Sequence, residues 1–156
     1  MWILSLEVAK MIEFTAKGLP VPQGSTKSYV VNGHVVTAHD AKGLAQWRQI
    51  VAFQAQSLGA TILDGPVRIS LVFTLQRPKT LPKRIQYPAK RPDLDKLIRS
   101  VLDAITHILI VDDSQVVDIF AVKLYATPSV GPGVKVKLEE VNPLVRLDIP
   151  PILGIP

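Results

Sequence analysis

The stretch Arg91-Pro92-Asp93-Leu94-Asp95-Lys96-Leu97-Ile98-Arg99-Ser100-Val101-Leu102-Asp103-Ala104-Ile105 decides how this chain folds. Leu94, Leu97, Ile98, Val101, Leu102 and Ile105 recur at steps of three and four, a single apolar stripe at the 3.6-residue period, which predicts a helix with one face on a core. Asp95, Arg99 and Asp103 follow at four-residue steps and form a charged ridge beside that stripe, with Asp95 in reach of Arg99. Pro92 suits the entry to a first helical turn. Two aspartates at a helix start also have an ordinary explanation, because carboxylates there cap free backbone N–H groups and complement the helix dipole.

A second acidic pair follows in Val111-Asp112-Asp113-Ser114, ahead of a β-type run from Val116 to Tyr125. Asp and Ser also favour turns. A helix rising about 1.5 Å per residue carries the chain away from Asp93 and Asp95. The short segment after Ile108 therefore leaves open whether Asp113 returns to them within one subunit. Six of the 13 acidic residues (Asp93, Asp95, Asp103, Asp112, Asp113, Asp118) lie between Arg91 and Asp118, in a chain with 18 Lys and Arg and a net charge of +5. Carboxylates gathered on one surface repel one another and raise each other's pKa, so a cluster calls for a cation. Aspartate oxygens are hard ligands suited to Mg²⁺, with Mn²⁺ as a substitute. A bound Mg²⁺ makes water nucleophilic and stabilises charge in phosphodiester hydrolysis.

Both acidic clusters, the apolar pattern between them and their spacing resemble the core of the RusA-type Holliday junction resolvases. Gly18-Leu-Pro-Val-Pro-Gln23-Gly24 is similar to that family's opening strand and turn. The resemblance implies a dimeric, divalent-metal-dependent endonuclease of branched DNA, the four-way junction above all, in the cytoplasm of a prokaryote or encoded by a phage. It places the metal-binding catalytic carboxylates at Asp93, Asp95 and Asp113. The family's catalytic lysine falls at Arg99, with Lys96 one turn earlier as an alternative and Asp112 as an accessory acid.

Upstream, Ile12, Phe14 and Ala16 alternate with polar residues as a half-buried strand. Residues 1–10 read as a leader or extra element, residues 11–141 as one nuclease domain, and the proline-rich residues 142–156 as an extended tail. Gly24, Ser25, Thr26 and Lys27 form a polar loop, with Lys27 a candidate phosphate contact. Asn32-Gly33 between two β-rich runs predicts a hairpin. His34 and His39 read as turn or solvated histidines. From Asp40, a predicted N-cap, the residues Leu44, Trp47, Val51, Ala55 and Leu58 keep helical period up to Gly59. Val67, Ile69, Leu71, Phe73 and Leu75 alternate as a core strand, and Gly133 to Glu139 as a further one. The reading is an α+β domain, a mixed sheet with two main helices packed on it, in the order hairpin-α-β-α-β-β.

Between the core strand and the acidic helix, Arg77, Lys79, Lys83, Arg84, Lys90 and Arg91 meet no acid, and Pro78, Pro82, Pro88 and Pro92 interrupt regular structure. Cations of one sign directly before a carboxylate helix fit DNA phosphate contacts, the main source of sequence-independent affinity. At 156 residues and 47% hydrophobic, the chain has material for one core. With no cysteine it has neither disulfides nor thiolate metal sites. No apolar run reaches the roughly 20 residues of a membrane span.

Three functions fit these residues: a metal-dependent structure-selective endonuclease, a non-catalytic basic DNA-binding protein of recombination or replication, and a phosphotransfer enzyme using Asp-x-Asp. The third wants its motif at the end of an apolar strand, whereas a basic proline-rich loop precedes this one.

Overall fold

The computed structural model describes residues 10–24, 26–39 and 42–145. Alternation decides the strands. In β1 (Met11–Lys17) Ile12, Phe14 and Ala16 are buried and their neighbours exposed. In β4 (Val67–Leu75) every odd-numbered residue is buried. A hairpin of β2 (Thr26–Val31) and β3 (His34–His39) stands apart as its own two-stranded sheet, turned at Asn32 and Gly33, both with positive φ. That is the conformation an Asn-Gly turn supplies.

Among the described residues the main sheet holds four strands in the order β1-β6-β4-β5. The strand β6 (Gly133–Glu140) pairs antiparallel with both β1 and β4, whereas β5 (Val116–Tyr125) runs parallel to β4 at the outer edge. Parallel neighbours need a crossover, and α2 (Leu94–Ile105) provides it. Gly133 is required where β6 meets β1, because a Cβ there would run into the Ala16 carbonyl oxygen.

The helices α1 (Leu44–Ser57) and α2 pack against each other, α1 also against β1 and α2 against β5. Trp47, Val51 and Ala55 of α1 meet Leu97, Val101 and Ile105 of α2 in one buried cluster with the inward residues of β1, β4 and β6. Each large apolar side chain fully buried there contributes about 1.5–3 kcal/mol. The observed order, β-β-β-α-β-α-β-β with a short 3₁₀ turn (Asp113–Gln115) before β5, matches the α+β expectation. The α1 start differs in detail: its N-cap is Gly43, and Asp40 lies outside the described residues. So do residues 1–9 and 146–156, most of the leader and tail.

Candidate active site

Asp93 occupies the N-cap position of α2 with extended backbone, yet its side chain makes no capping hydrogen bond. It lies instead 3.3 Å from Lys96 Nζ, one turn along. Asp95, in the first turn, is exposed and its side chain has no hydrogen bond or ion pair among the described residues, and the same holds for the side chain of Arg99. The contact between Asp95 and Arg99 that their spacing permits is therefore not made. In water such a pair contributes roughly 0–1 kcal/mol, against which stands the entropy of fixing a long side chain. The ridge also divides, because Asp103 pairs with Arg48 of α1 rather than with its helix neighbours.

Three contacts from other elements fix where the head of α2 stands. Lys123, on β5, donates from Nζ to the carbonyl oxygens of Lys90 and Pro92, 2.9 Å each. These carbonyls belong to the last residues before Asp93, so an ammonium ties the entry of the helix to the sheet. Gln23, nearly buried in the turn after β1, donates its backbone N–H to Lys96 O at 2.9 Å. Its side chain accepts from Arg48, which also holds Asp103. A chain of contacts thus runs from the Gly18–Gln23 turn through α1 to α2.

The second acidic cluster is built differently. Asp112 caps the 3₁₀ turn: its Oδ1 accepts from Ser114 N at 2.8 Å, while Gln115 Oε1 accepts from Val111 N and Asp112 N at 2.7 and 2.9 Å. The Gln115 amide reaches back to Leu63 O and Gly65 O, at 3.0 and 2.8 Å, anchoring the turn to the segment before β4. Hydrogen bonds from Ser114 hold the Asp112 carboxyl below its ordinary value of 3.8. Asp113 is exposed beside it, and Asp118 is held by Arg68 Nε at 2.6 Å.

Topology separates the two clusters. The end of α2 adjoins Ile110, three residues before Asp113, while Asp93 and Asp95 lie a helix length away, roughly 18 Å. Seen along β5, Asp113 precedes the first residue, whereas Pro92 is held by Lys123, about 23 Å further on. Among the described residues no group of three or more His, Asp or Glu stands close enough to hold a metal ion.

The basic loop is organised rather than loose. Arg77 donates from Nη1 to Ile85 O at 2.8 Å and from Nη2 to Pro82 O at 2.7 Å, and its guanidinium carbon lies 5.2 Å from the centre of the Tyr125 ring. Turns close from Leu81 N to Pro78 O and from Ile85 N to Pro82 O, and Pro88 is buried. Arg77 therefore braces the loop. Lys79, Lys83, Arg84, Lys90 and Arg91 are exposed, with no side-chain ion pair among the described residues. The side chain of Lys27, on β2, lies outside those described.

Sequence reasoning missed Lys123, Gln23 and Arg48. Lys123 carried a signal, since it shares with Ala121 the parity that faces the helices, where a charge calls for a partner. Gln23 lay in the quoted Gly18–Gly24 turn, but its contact with α2 carried no signal, and neither did Arg48, because these contacts join segments far apart in the chain.

The family model of endodeoxyribonuclease RusA matches residues 18–139 of this chain. The chain is also 34% identical over 142 residues to the uncharacterized protein YqaN of Bacillus subtilis, covering 84% of this chain and 97% of that protein.

Proposed function

Because this chain belongs to the RusA endodeoxyribonuclease family, we propose that it is a divalent-metal-dependent endonuclease that cuts branched DNA, the Holliday junction foremost, by paired phosphodiester hydrolysis in the cytoplasm. One observation carries the reading at the level of residues: Asp93 and Asp95 stand exposed at the head of a helix they do not cap. The ordinary reason for aspartates at that position is thereby weakened, and two acids beside a surface of exposed loop cations call for another use.

Asp93, Asp95 and Asp113 are the carboxylates we assign to a Mg²⁺ or Mn²⁺ site. The three carboxylates of a single chain do not fit one ion, since Asp113 lies at the far end of β5. A second copy supplies what one chain lacks. The strand β5 is one of the two edge strands of the sheet and exposes Val117, Ile119 and Phe120, and an apolar edge with no strand beside it among the described residues favours pairing with another chain. Antiparallel two-fold pairing of β5 with its copy would carry the partner's Asp113 toward the end where Lys123 holds Pro92. Each site would then draw on both chains, and two equivalent sites would suit the symmetric nicking of a junction. A bound divalent cation would supply an activated water and charge stabilisation.

The residues of this chain divide the remaining tasks. Arg99, exposed one turn beyond Asp95, presents a permanent positive charge to the scissile phosphate. Lys96 holds Asp93 and is an accessory cation. Asp112 supports Asp113 by fixing the turn beneath it. Lys79, Lys83, Arg84, Lys90 and Arg91 bind phosphates along the arms, with Lys27 as a further contact and Arg77 contributing charge while bracing the loop.

Incubation of the purified protein with labelled four-way junction and with linear duplex of matched sequence, with and without Mg²⁺, tests the proposal. The expected result is symmetric nicking of the junction alone, only with metal. Salt-sensitive binding of both DNAs without cleavage would identify a non-catalytic DNA-binding protein instead.

A further inference from the structure

The loop before α2 walls a cleft whose apolar walls none of the assignments above uses, although Lys90 and Arg91 at its side are among the phosphate contacts assigned there. Its volume is about 490 Å³, within the rough range of 300–1,000 Å³ of small-ligand sites. Leu75, Leu81, Pro82 and Tyr125 give it apolar walls, Lys90 and Arg91 line it as well, and no carboxylate is among its described lining residues. Pro92 also lines it, and Asp93 is the next residue. The cleft is formed in advance of any ligand, because Arg77 pins two loop carbonyls while lying against Tyr125, and Lys123 pins two more.

We infer that this cleft receives one unstacked nucleotide of the branched DNA, the base against the apolar walls and its phosphate toward Lys90 and Arg91. The inference rests on the nuclease reading and names how that site recognises its substrate. Apolar and aromatic surface joined to cations is the combination that binds single-stranded nucleic acid without regard to sequence. The absence of acid among the lining residues favours a polyanion over a basic peptide. Drawing a base out of a stack costs free energy, least where the base is already unpaired. A cleft one residue from the carboxylates therefore admits DNA easily at a branch point and with a penalty in linear duplex, so it selects structure without reading sequence.

Two measurements on the full chain test this. In the first, a thymidine tetranucleotide is titrated while backbone amide resonances are followed by NMR. The expected shifts centre on Leu75, Thr80, Leu81 and Tyr125, and Thr80→Trp, which fills the cleft from an exposed position, weakens binding by about tenfold. In the second, a four-way junction carries 2-aminopurine at the branch point; binding brightens it, and Thr80→Trp abolishes the brightening while linear-duplex affinity is kept. Far-ultraviolet circular dichroism of Thr80→Trp matching the parent shows that the fold is retained. If Thr80→Trp does not fold, Leu81→Ser, which removes an apolar wall, replaces it with the same expectations. Shifts confined to the loop lysines, or a junction cut at the parent rate with 2-aminopurine still quenched, would overturn the cleft and leave the nuclease standing. Tetranucleotide binding in the cleft without cleavage of any DNA would overturn the nuclease and leave the cleft as a single-strand site.

Discussion

Asp93-Leu94-Asp95 and Asp112-Asp113 look alike as sequence: two acids close together, each pair at the start of a regular element. Their surroundings are opposite. Asp112 is engaged by the turn it begins, through Ser114 and a capping box with Gln115. Asp93 begins a three-turn helix without a side-chain cap, and the side chain of Asp95 two residues on has no partner among the described residues. The head of α2 is instead held from outside, by Lys123 on the carbonyls before it and by Gln23 on a carbonyl within it. One cluster stabilises its own backbone. At the other, the backbone is stabilised by other residues, and the carboxylates serve no cap: Asp93 meets only Lys96, and the Asp95 side chain has no partner among the described residues.

The strongest way to break this contrast is to remove charge at the available cluster. Asp95→Asn keeps size and fold, and is expected to lower junction cleavage by a thousandfold or so, the upper scale for losing one essential electrostatic group. Junction binding should hold or tighten, since repulsion between carboxylate and phosphate falls. Cleavage near the parent rate would remove Asp95 from the site; equal loss of binding would indicate a folding defect. Mixing Asp95→Asn with Asp113→Asn sharpens the result. If each site draws on two chains, mixed dimers hold one intact site, and about a quarter of the parent's sites return. If each chain holds its own site, every site in the mixture stays defective.

Arg99 comes next. Arg99→Ala is expected to lose about a hundredfold in cleavage, while Arg99→Lys stays within about tenfold of the parent, because only a positive charge is required. Arg99→Lys greatly exceeding the parent would mean that the position transfers a proton, which a guanidinium does poorly. An alanine variant with parental activity would shift the test to Lys96→Ala. Because Arg99 makes no ion pair with Asp95, its loss should leave thermal stability nearly unchanged, and a calorimetric scan separates that from a structural role.

A third effect should be smaller and confined to placement. Lys123→Met removes the ammonium that holds Lys90 O and Pro92 O, letting the head of α2 drift. Displacements of about 1 Å are enough to slow a reaction by up to a hundredfold, and we expect about tenfold in kcat with KM for the junction little changed, partly restored by Lys123→Arg. A change in KM alone would make Lys123 a DNA contact rather than a positioning residue.

The limits of reading the sequence fall along the same contrast. Val67–Leu75 and Leu94–Ile105 were legible because burial imposes a period of 2 or 3.6 on residues adjacent in the chain, whereas Val116–Tyr125, with no fully buried residue, was legible from its run of β-branched and aromatic residues. Asp93 and Asp95 were legible as acids at a helix start, but whether they cap that helix depends on side-chain geometry that spacing does not encode. Whether Asp95 and Arg99 pair was open for a related reason: four-residue spacing permits an exposed pair without enforcing it. The Arg48–Asp103 pair and the bonds from Lys123 join segments dozens of residues apart, and only the packing of α1 and β5 brings them together. The distance from Asp113 to Asp95 was open in the sequence because it depends on β5 running parallel to β4 at the sheet edge.

The smallest expected effect tests the other half of the contrast, that Asp112 serves its own turn through its charge. Its carboxyl is held below 3.8 by hydrogen bonds from Ser114, in the folded protein only. A folded-state pKa that is depressed adds stability that is complete above the unfolded value and disappears as pH falls through the folded one. Asp112→Asn keeps an oxygen that accepts from Ser114 N while removing the charge. The variant should therefore unfold at slightly lower denaturant than the parent near neutral pH, and the gap between them should close as pH is lowered well beneath 3.8. Comparing the two proteins at each pH cancels other acids that titrate in the same window, such as Glu13, whose carboxyl Lys135 lowers. A gap independent of pH would show that the cap works by hydrogen bonding alone. A gap that widened toward acid would have the wrong sign for a depressed carboxyl, and would remove the distinction between an acid that holds its backbone by charge and one that stands ready for a ligand.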